Sequence, residues 1–353
     1  MTLAVLPPPR HIPSPVRPSS RLLACALLAL APLYLPNSVA VGQQAEAEVG
    51  LPGLVIPLGA RNVGQGRASA ALTGDVQGLP YNPAAIASIG RGQVAFSRFE
   101  SAEAADLTAD LVAGAASTDW GIFGVQLVRL DYGAIPITES SPEPVGELEV
   151  GEWALGVTYA NRWKRIAFGA TAKWYASDLG VTDGGSPAFD LGAVARPWPA
   201  IPLDVGASLR NLGPDLEYAS PSPDDPAAGG GPATGAKLPA RLRLGLAWRP
   251  EALLGFGPDY RVAFALDAEG DLRDPGTASF HGGASVLVHQ LVVLRGGAVV
   301  ADNPFLEAGE EERNVGGAFG VGIRYRGFEA DVAREVSVSE LDDETHFSVG
   351  YRF

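Results

Sequence analysis

The feature that most constrains this chain is a period of two, repeated in segment after segment of about ten residues. Ile166, Phe168, Ala170, Ala172 and Trp174 make one apolar face, and Ala167, Gly169, Thr171, Lys173 and Tyr175 lie behind it. Leu242, Leu244, Leu246 and Trp248 alternate with Arg241, Arg243, Gly245, Ala247 and Arg249. Trp153, Leu155, Val157 and Tyr159 repeat the pattern, as do Val262, Phe264 and Leu266, and Phe319, Val321, Ile323 and Tyr325. Successive side chains of a strand point to opposite faces, so each segment is a strand with an apolar face backed by a small or charged one. The end of the chain repeats it, with Phe347, Val349, Tyr351 and Phe353 opposing His346, Ser348, Gly350 and Arg352.

Alone, those last residues suit a soluble edge strand as well as the wall of a membrane barrel. The repetition separates the two. A sandwich core seldom sets Arg241, Arg243 and Lys173 behind clean apolar faces, whereas a membrane barrel turns its apolar face to lipid and its polar face to the lumen. Segments fall near 92–101, 106–116, 119–130, 150–161, 164–177, 187–197, 202–211, 239–249, 259–270, 277–287, 290–300, 316–326, 327–336 and 344–353. They make about fourteen, an even number as such barrels require. The expected fold is all-β, a transmembrane antiparallel β-barrel over residues 92–353. Trp120, Trp153, Tyr159, Trp174, Trp248, Tyr325 and Tyr351 stand at segment ends, where interfacial girdles need them. The load of 44 Gly and 29 Pro favours short strands and turns.

On this reading Lys173, Arg241, Arg243, Arg261, Asp267 and Arg324 face the lumen. Phe347, Val349, Tyr351 and Phe353 form a carboxy-terminal signal for the barrel-assembly machinery. Outer-membrane lipids are the surrounding partner. Long connections at 131–149, 178–186, 212–238, 301–315 and 337–343 alternate with short ones at Ser117-Thr118, Asn161-Arg162-Trp163 and Arg326-Gly327. Long loops belong outside the cell and short turns in the periplasm. The long set is acidic (Asp131, Glu139, Glu143, Glu147, Glu149, Glu307, Glu310, Glu311, Glu312), and the short set carries Arg162, Lys164 and Arg165. Ser220–Gly235, rich in Pro, Asp, Ala and Gly, reads as a mobile loop. Pro197 and Pro199, in Arg196-Pro197-Trp198-Pro199, are candidates for interrupting the ladder.

Residues 1–40 read as a cleaved signal peptide: Arg10, Arg17 and Arg21, an apolar run over Leu22–Leu35, then Ser38-Val39-Ala40. The single cysteine, Cys25, opens that apolar run, so it neither marks a lipidation site nor remains in the mature chain. A net charge of −14 argues against nucleic-acid binding. Residues 41–91 are not strand-like. Gly64 and Gly66 permit tight turns or close backbone approach, and Asn82 before Pro83 is a good helix start.

Gly59-Ala60-Arg61, the Gly64/Gly66 pair, Asp75 and Asn82-Pro83-Ala84 resemble the amino-terminal segment of the PorV/PorQ family, outer-membrane barrels similar to the FadL long-chain fatty-acid transporters. The resemblance extends over the mature chain, with departures at Pro80-Tyr81 and Ala85. It implies that residues 41–91 fold into the lumen as a hatch, with Arg61, Gly64, Gly66, Asp75, Asn82 and Pro83 as hatch or lumen residues. By the same analogy Arg61 and Asp75 are either an ion pair holding the hatch or two solvated charges. The family implies one of two functions: passage of hydrophobic small molecules, or a secretion-system component that binds cargo or translocon proteins.

Catalytic patterns are absent from the sequence. His281, His289 and His346 have no metal-ligand spacing, Gly-x-Ser-x-Gly does not occur, and Ser279 with His281 is the nearest approach to a nucleophile and base. No enzyme activity, metal or cofactor is expected.

Overall fold

The computed structural model describes residues 51–101, 107–137, 144–180, 182–218, 235–255, 257, 259–273, 278–302, 313–337 and 343–353. The signal-peptide reading, residues 41–50, most of Ser220–Gly235 and the acidic residues Glu139, Glu143, Glu307, Glu310, Glu311 and Glu312 lie outside these.

Fourteen strands close an antiparallel barrel. In chain order they are β1 (Gly92–Ser101), β2 (Thr108–Thr118), β3 (Gly121–Ile137), β4 (Gly146–Trp163), β5 (Ile166–Asp178), β6 (Asp183–Ala195) and β7 (Leu203–Leu212), then β10 (Arg241–Trp248), β11 (Tyr260–Asp271), β12 (Ala278–Val288), β13 (Val292–Asp302), β14 (Arg313–Tyr325), β15 (Phe328–Ser337) and β16 (Asp343–Arg352). Between β7 and β10 the chain forms a minor two-stranded sheet, β8 (Leu216–Glu217) with β9 (Gly235–Ala236). The ring closes where β1 pairs with β16, from Gln93↔Arg352 to Ser101↔Glu344.

The pleat follows the sequence period. On β5, Ile166, Phe168 and Trp174 are exposed outward while Ala167, Thr171 and Tyr175 are buried inward. Trp163 and Trp153 lie ten residues apart on β4, both exposed. Ten residues at about 3.3 Å each, tilted by about 40°, rise about 25 Å, the height of the apolar band of a barrel in lipid.

One expected loop is largely strand. The ladder between β3 and β4 continues past a bulge at Asp131–Ala134 to Ile137↔Gly146. Gly133, at φ 74°, makes the bend, and its amide donates to Asp131 Oδ1 at 3.0 Å. The alternation in this stretch is carried by acidic residues, Glu147 and Glu149, which hides it from an apolar count.

A second bulge lies between β6 and β7, at Phe189–Leu191. Asn211, at φ 59°, is the residue displaced, and its amide donates to Asp190 Oδ1 at 2.7 Å. Pro197 and Pro199 do not interrupt the wall: they lie in the β6–β7 turn, beyond the end of β6. Proline's missing donor is harmless there, where no ladder bond is due.

Candidate functional site

Residues 51–91 form no strand but a chain of short turns. Gly59, at φ 85°, leads into a helical turn, α1 (Ala60–Val63). The Asp75 side chain caps the next turn by accepting from the Gln77 amide at 3.0 Å. Asn82 accepts from the Ala84 amide at 2.9 Å and caps a 3-10 turn, Pro83–Ser88, in which Pro83 occupies a position that has no donor to lose.

This segment meets every strand of the barrel from the lumenal side. Its amides donate to Gln93 of β1 (from Val76, 3.2 Å), Glu152 of β4 (from Gly53, 2.7 Å), Asp267 of β11 (from Ser69, 2.8 Å, and Ala70, 2.9 Å) and Ser348 of β16 (from Ala60, 2.9 Å). Its carbonyls accept from Ser208 and Arg210 of β7, at Tyr81 and Pro80, and from Arg243 of β10, at Arg67, each at 2.7 Å. Arg67 grips Glu335 of β15 through two bonds, at 2.8 and 3.0 Å. The turn at Val76–Gly78 rests on β2, and Ile86 reaches Gly124 of β3.

The remaining strands are met at glycines. A Cβ on Gly64 would meet Gly320 Cα of β14 at 3.0 Å, and one on Gly169 of β5 would meet Pro83 carbonyl carbon at 2.6 Å. Side chains at Gly192 (β6), Gly283 (β12) and Gly297 (β13) would collide with Asn82, Gln65 and Gly66 respectively. Gly66, at φ 62°, is itself in the left-handed region where only glycine is at ease. A segment touching all fourteen staves of a closed ring from its inner face lies in the lumen.

The lumen has two unlike halves. Along β1–β6 the inward residues are mostly apolar, with Phe99, Leu111, Val128, Leu130, Ala154, Tyr175 and Ala188 packed against Leu51, Leu58, Leu79 and Ile86 of the inner segment, and Gln93, Glu152 and the Lys173–Asp190 pair among them. From β7 to β16 ion pairs join small apolar residues such as Ala247, Ala265 and Ala333 on the inward face. Arg243 pairs with Glu269 and, at 3.4 Å, with Asp267; Arg210 meets Glu269 at 2.8 Å; Arg295 meets Asp331 at 2.7 Å. Arg324 and Arg352 share Glu329 at 3.0 and 3.1 Å.

Of the residues named from sequence, Arg61 and Asp75 lie in contact as an ion pair within the inner segment, and Gln93 adds a bond to Asp75 at 3.2 Å. Burial is the largest single influence on Asp75 and opposes its charge, but Arg61, Arg352, the Gln77 amide and Arg324 together outweigh it and hold the carboxyl below its usual range. Asn82 is fully buried and also donates to Ala70 O at 2.6 Å. Lys173 pairs with Asp190 at 2.8 Å and bonds Asn211, so it braces the β6–β7 bulge. Arg241 lies 3.6 Å from Asp271. Arg261 shares the inward parity of Ala265 and Asp267, but it is exposed at the turn end of β11 and, among the described residues, joins no ion pair. Phe347, Val349 and Phe353 face outward, and the Phe353 amide donates to Gly92 O at 3.0 Å across the closing seam.

Sequence reasoning missed Arg67, Glu152, Arg210, Glu269, Arg295, Asp331 and Glu335. A signal existed for some: Glu329, Asp331 and Glu335 share one parity of β15, as Asp267, Glu269 and Asp271 do on β11. Ser279 Oγ lies 2.9 Å from His281 Nε2, but His281 faces inward beside Arg243, away from the outer surface a lipid-cleaving site would need.

No family model matches the chain, and no curated protein matches it. Solved structures do resemble it. The Pseudomonas putida toluene transporter TodX is 13% identical, covering 83% of this chain and 96% of that one at a TM-score of 0.54. The CymD monoaromatic hydrocarbon channel is 14% identical, covering 85% and 98% at 0.55. A Pseudomonas aeruginosa FadL homologue is 12% identical, covering 84% and 99% at 0.53. At such identities the likeness is one of fold: this chain has the fourteen-stranded closed barrel of the FadL and TodX type.

Proposed function

We propose that this protein is a bacterial outer-membrane barrel that passes hydrophobic small molecules inward, with residues 51–91 as its hatch. The observation that carries the reading is the apolar half-lumen along β1–β6. A barrel whose only task is structural has no need of one, and Leu111, Leu130 and Phe99, buried with Leu51 and Leu58, make an apolar lining that suits an apolar solute displacing those leucines. The outward apolar band supports residence in lipid, and the likeness to a toluene transporter and a monoaromatic hydrocarbon channel supports the solute class. No observation favours the second reading, a secretion component docking cargo or translocon proteins.

Uptake of radiolabelled toluene into vesicles reconstituted with the barrel tests this. Uptake above that of protein-free vesicles, lost when Leu111→Arg charges the apolar half, is expected. Uptake equal to protein-free vesicles, with a stoichiometric protein chain in native mass spectrometry of the extracted barrel, overturns it.

A further inference from the structure

At the turn end of the lumen lies a cavity of about 390 Å³ lined by Thr73, Arg162, Lys164, Arg165, Val194, Ala195, Arg196, Asp204 and Arg249. Five cations face one carboxylate there, a surplus of four positive charges. Asp204 is already committed: Arg196 holds it with two bonds, at 2.7 and 2.9 Å, and Arg249 contacts it as well. Among the described residues Arg162, Lys164 and Arg165 have no carboxylate partner. Lys164 instead stacks over the Trp163 ring at 4.7 Å.

The cluster belongs to the lumen mouth and not to the outer wall. Arg162 continues the inward parity of Thr158 and Ala160 on β4, Arg165 that of Ala167 on β5, Arg196 that of Val194 on β6, and Arg249 that of Ala247 on β10. Four strands and the Thr73 bend of the inner segment thus aim cations at one space. Trp163 and Trp198, exposed on the outside of the same turns, mark the depth at which lipid headgroups lie.

We propose that this cavity is a phosphate-binding site. A single carboxylate would leave most of the charge surplus in place, whereas a phosphate oxyanion accepts several guanidinium forks at once. The phosphate comes either from an acidic phospholipid of the inner leaflet reaching over the rim or from a free phosphate compound. The site stands whether or not the barrel moves hydrophobic solutes, because its chemistry uses none of the apolar half-lumen.

The test uses the full barrel in phosphatidylcholine nanodiscs, titrated calorimetrically with inorganic phosphate, and native mass spectrometry of barrels released from phosphatidylglycerol nanodiscs. The comparison is the triple variant Arg162→Gln, Lys164→Gln, Arg165→Gln, whose folding is checked by heat-modified gel mobility. All three positions are exposed at a turn, so the ring does not depend on them. Saturable phosphate binding, weakened about tenfold or more in the triple variant and restored by Arg→Lys replacements at 162 and 165, supports a site for free phosphate. Retained phosphatidylglycerol, lost in the triple variant, supports the lipid source. Absence of both, or binding that the triple variant leaves unchanged, overturns the proposal.

Discussion

The two halves of the lumen hold the same inner segment by different physics. Along β1–β6 the contacts are mainly dispersive, Leu51, Leu58 and Ile86 packing with leucines, alanines and a phenylalanine, and only Gln93 and Glu152 take a backbone amide through their side chains. From β7 to β16 they are directional: Asp267 takes two backbone amides, Arg67 spans to Glu335, and Arg243 grips the Arg67 carbonyl. A non-directional contact tolerates sliding or replacement by another apolar group, whereas a charge-assisted bond in a buried site is lost all at once. On the proposed function, the charged side is the one that holds the segment in place and the apolar side the one that yields to a solute.

Breaking the charged side should have the largest effect. Asp267→Ala leaves Arg243 partly unpaired and two amides without acceptors, a loss of about 3–5 kcal/mol. The expected outcome is ion conductance through planar bilayers where the parent barrel is closed, together with protease cleavage within residues 51–91. Unchanged conductance would mean that the segment is not held from this side.

Gly283→Val attacks the same side without touching charge. Its side chain has no room against Gln65, and overpacking of this kind costs about 1–3 kcal/mol. Partial protease sensitivity, with all fourteen strands retained by infrared spectroscopy, is the expected result.

Leu111→Ala sharpens the comparison from the apolar side. Truncating a fully buried leucine costs about 2–4 kcal/mol in a rigid core, and less here because the lining can shift. Toluene uptake should rise while ion conductance stays closed. A conductance rise matching that of Asp267→Ala would erase the distinction between the halves.

The smallest effect is that of acid. A carboxyl held below its usual range in the folded state contributes stability that is complete above about pH 3.9 and fades as pH falls through the folded value. The Arg61–Asp75 contact should thus be intact at neutral pH and weaken only below about pH 4, read as protease sensitivity of the segment across a pH series.

The strands were legible because the lipid-facing period leaves no other arrangement for so many apolar–small segments; Ile166–Trp174 and Leu242–Trp248 alone decide the inward parity of Lys173 and Arg243. The inner segment was visible through Asn82-Pro83 and the Gly64/Gly66 pair, whose local conformations follow from the residues themselves. Pairing was not. Arg67 and Glu335 are 268 positions apart, and no local pattern says which carboxylate an arginine will meet across a closed ring. The β3–β4 extension was hidden because glutamates carry its alternation, and the exposure of Arg261 was not visible because parity gives a direction but not a depth.

The glycines at which the wall receives the inner segment have a consequence for how tightly the barrel can be sealed. Gly169, Gly192, Gly283, Gly297 and Gly320 bring no side chains into the bore, so the wall cannot fill the space if the segment leaves. Complete withdrawal would open a wide aqueous hole lined by bare backbone and ionised side chains, through which small toxic solutes and ions would leak. A wall built this way suits small displacements of the segment: on the proposed function, a solute passes a segment that stays seated, and the barrel stays closed to everything its apolar margin does not admit.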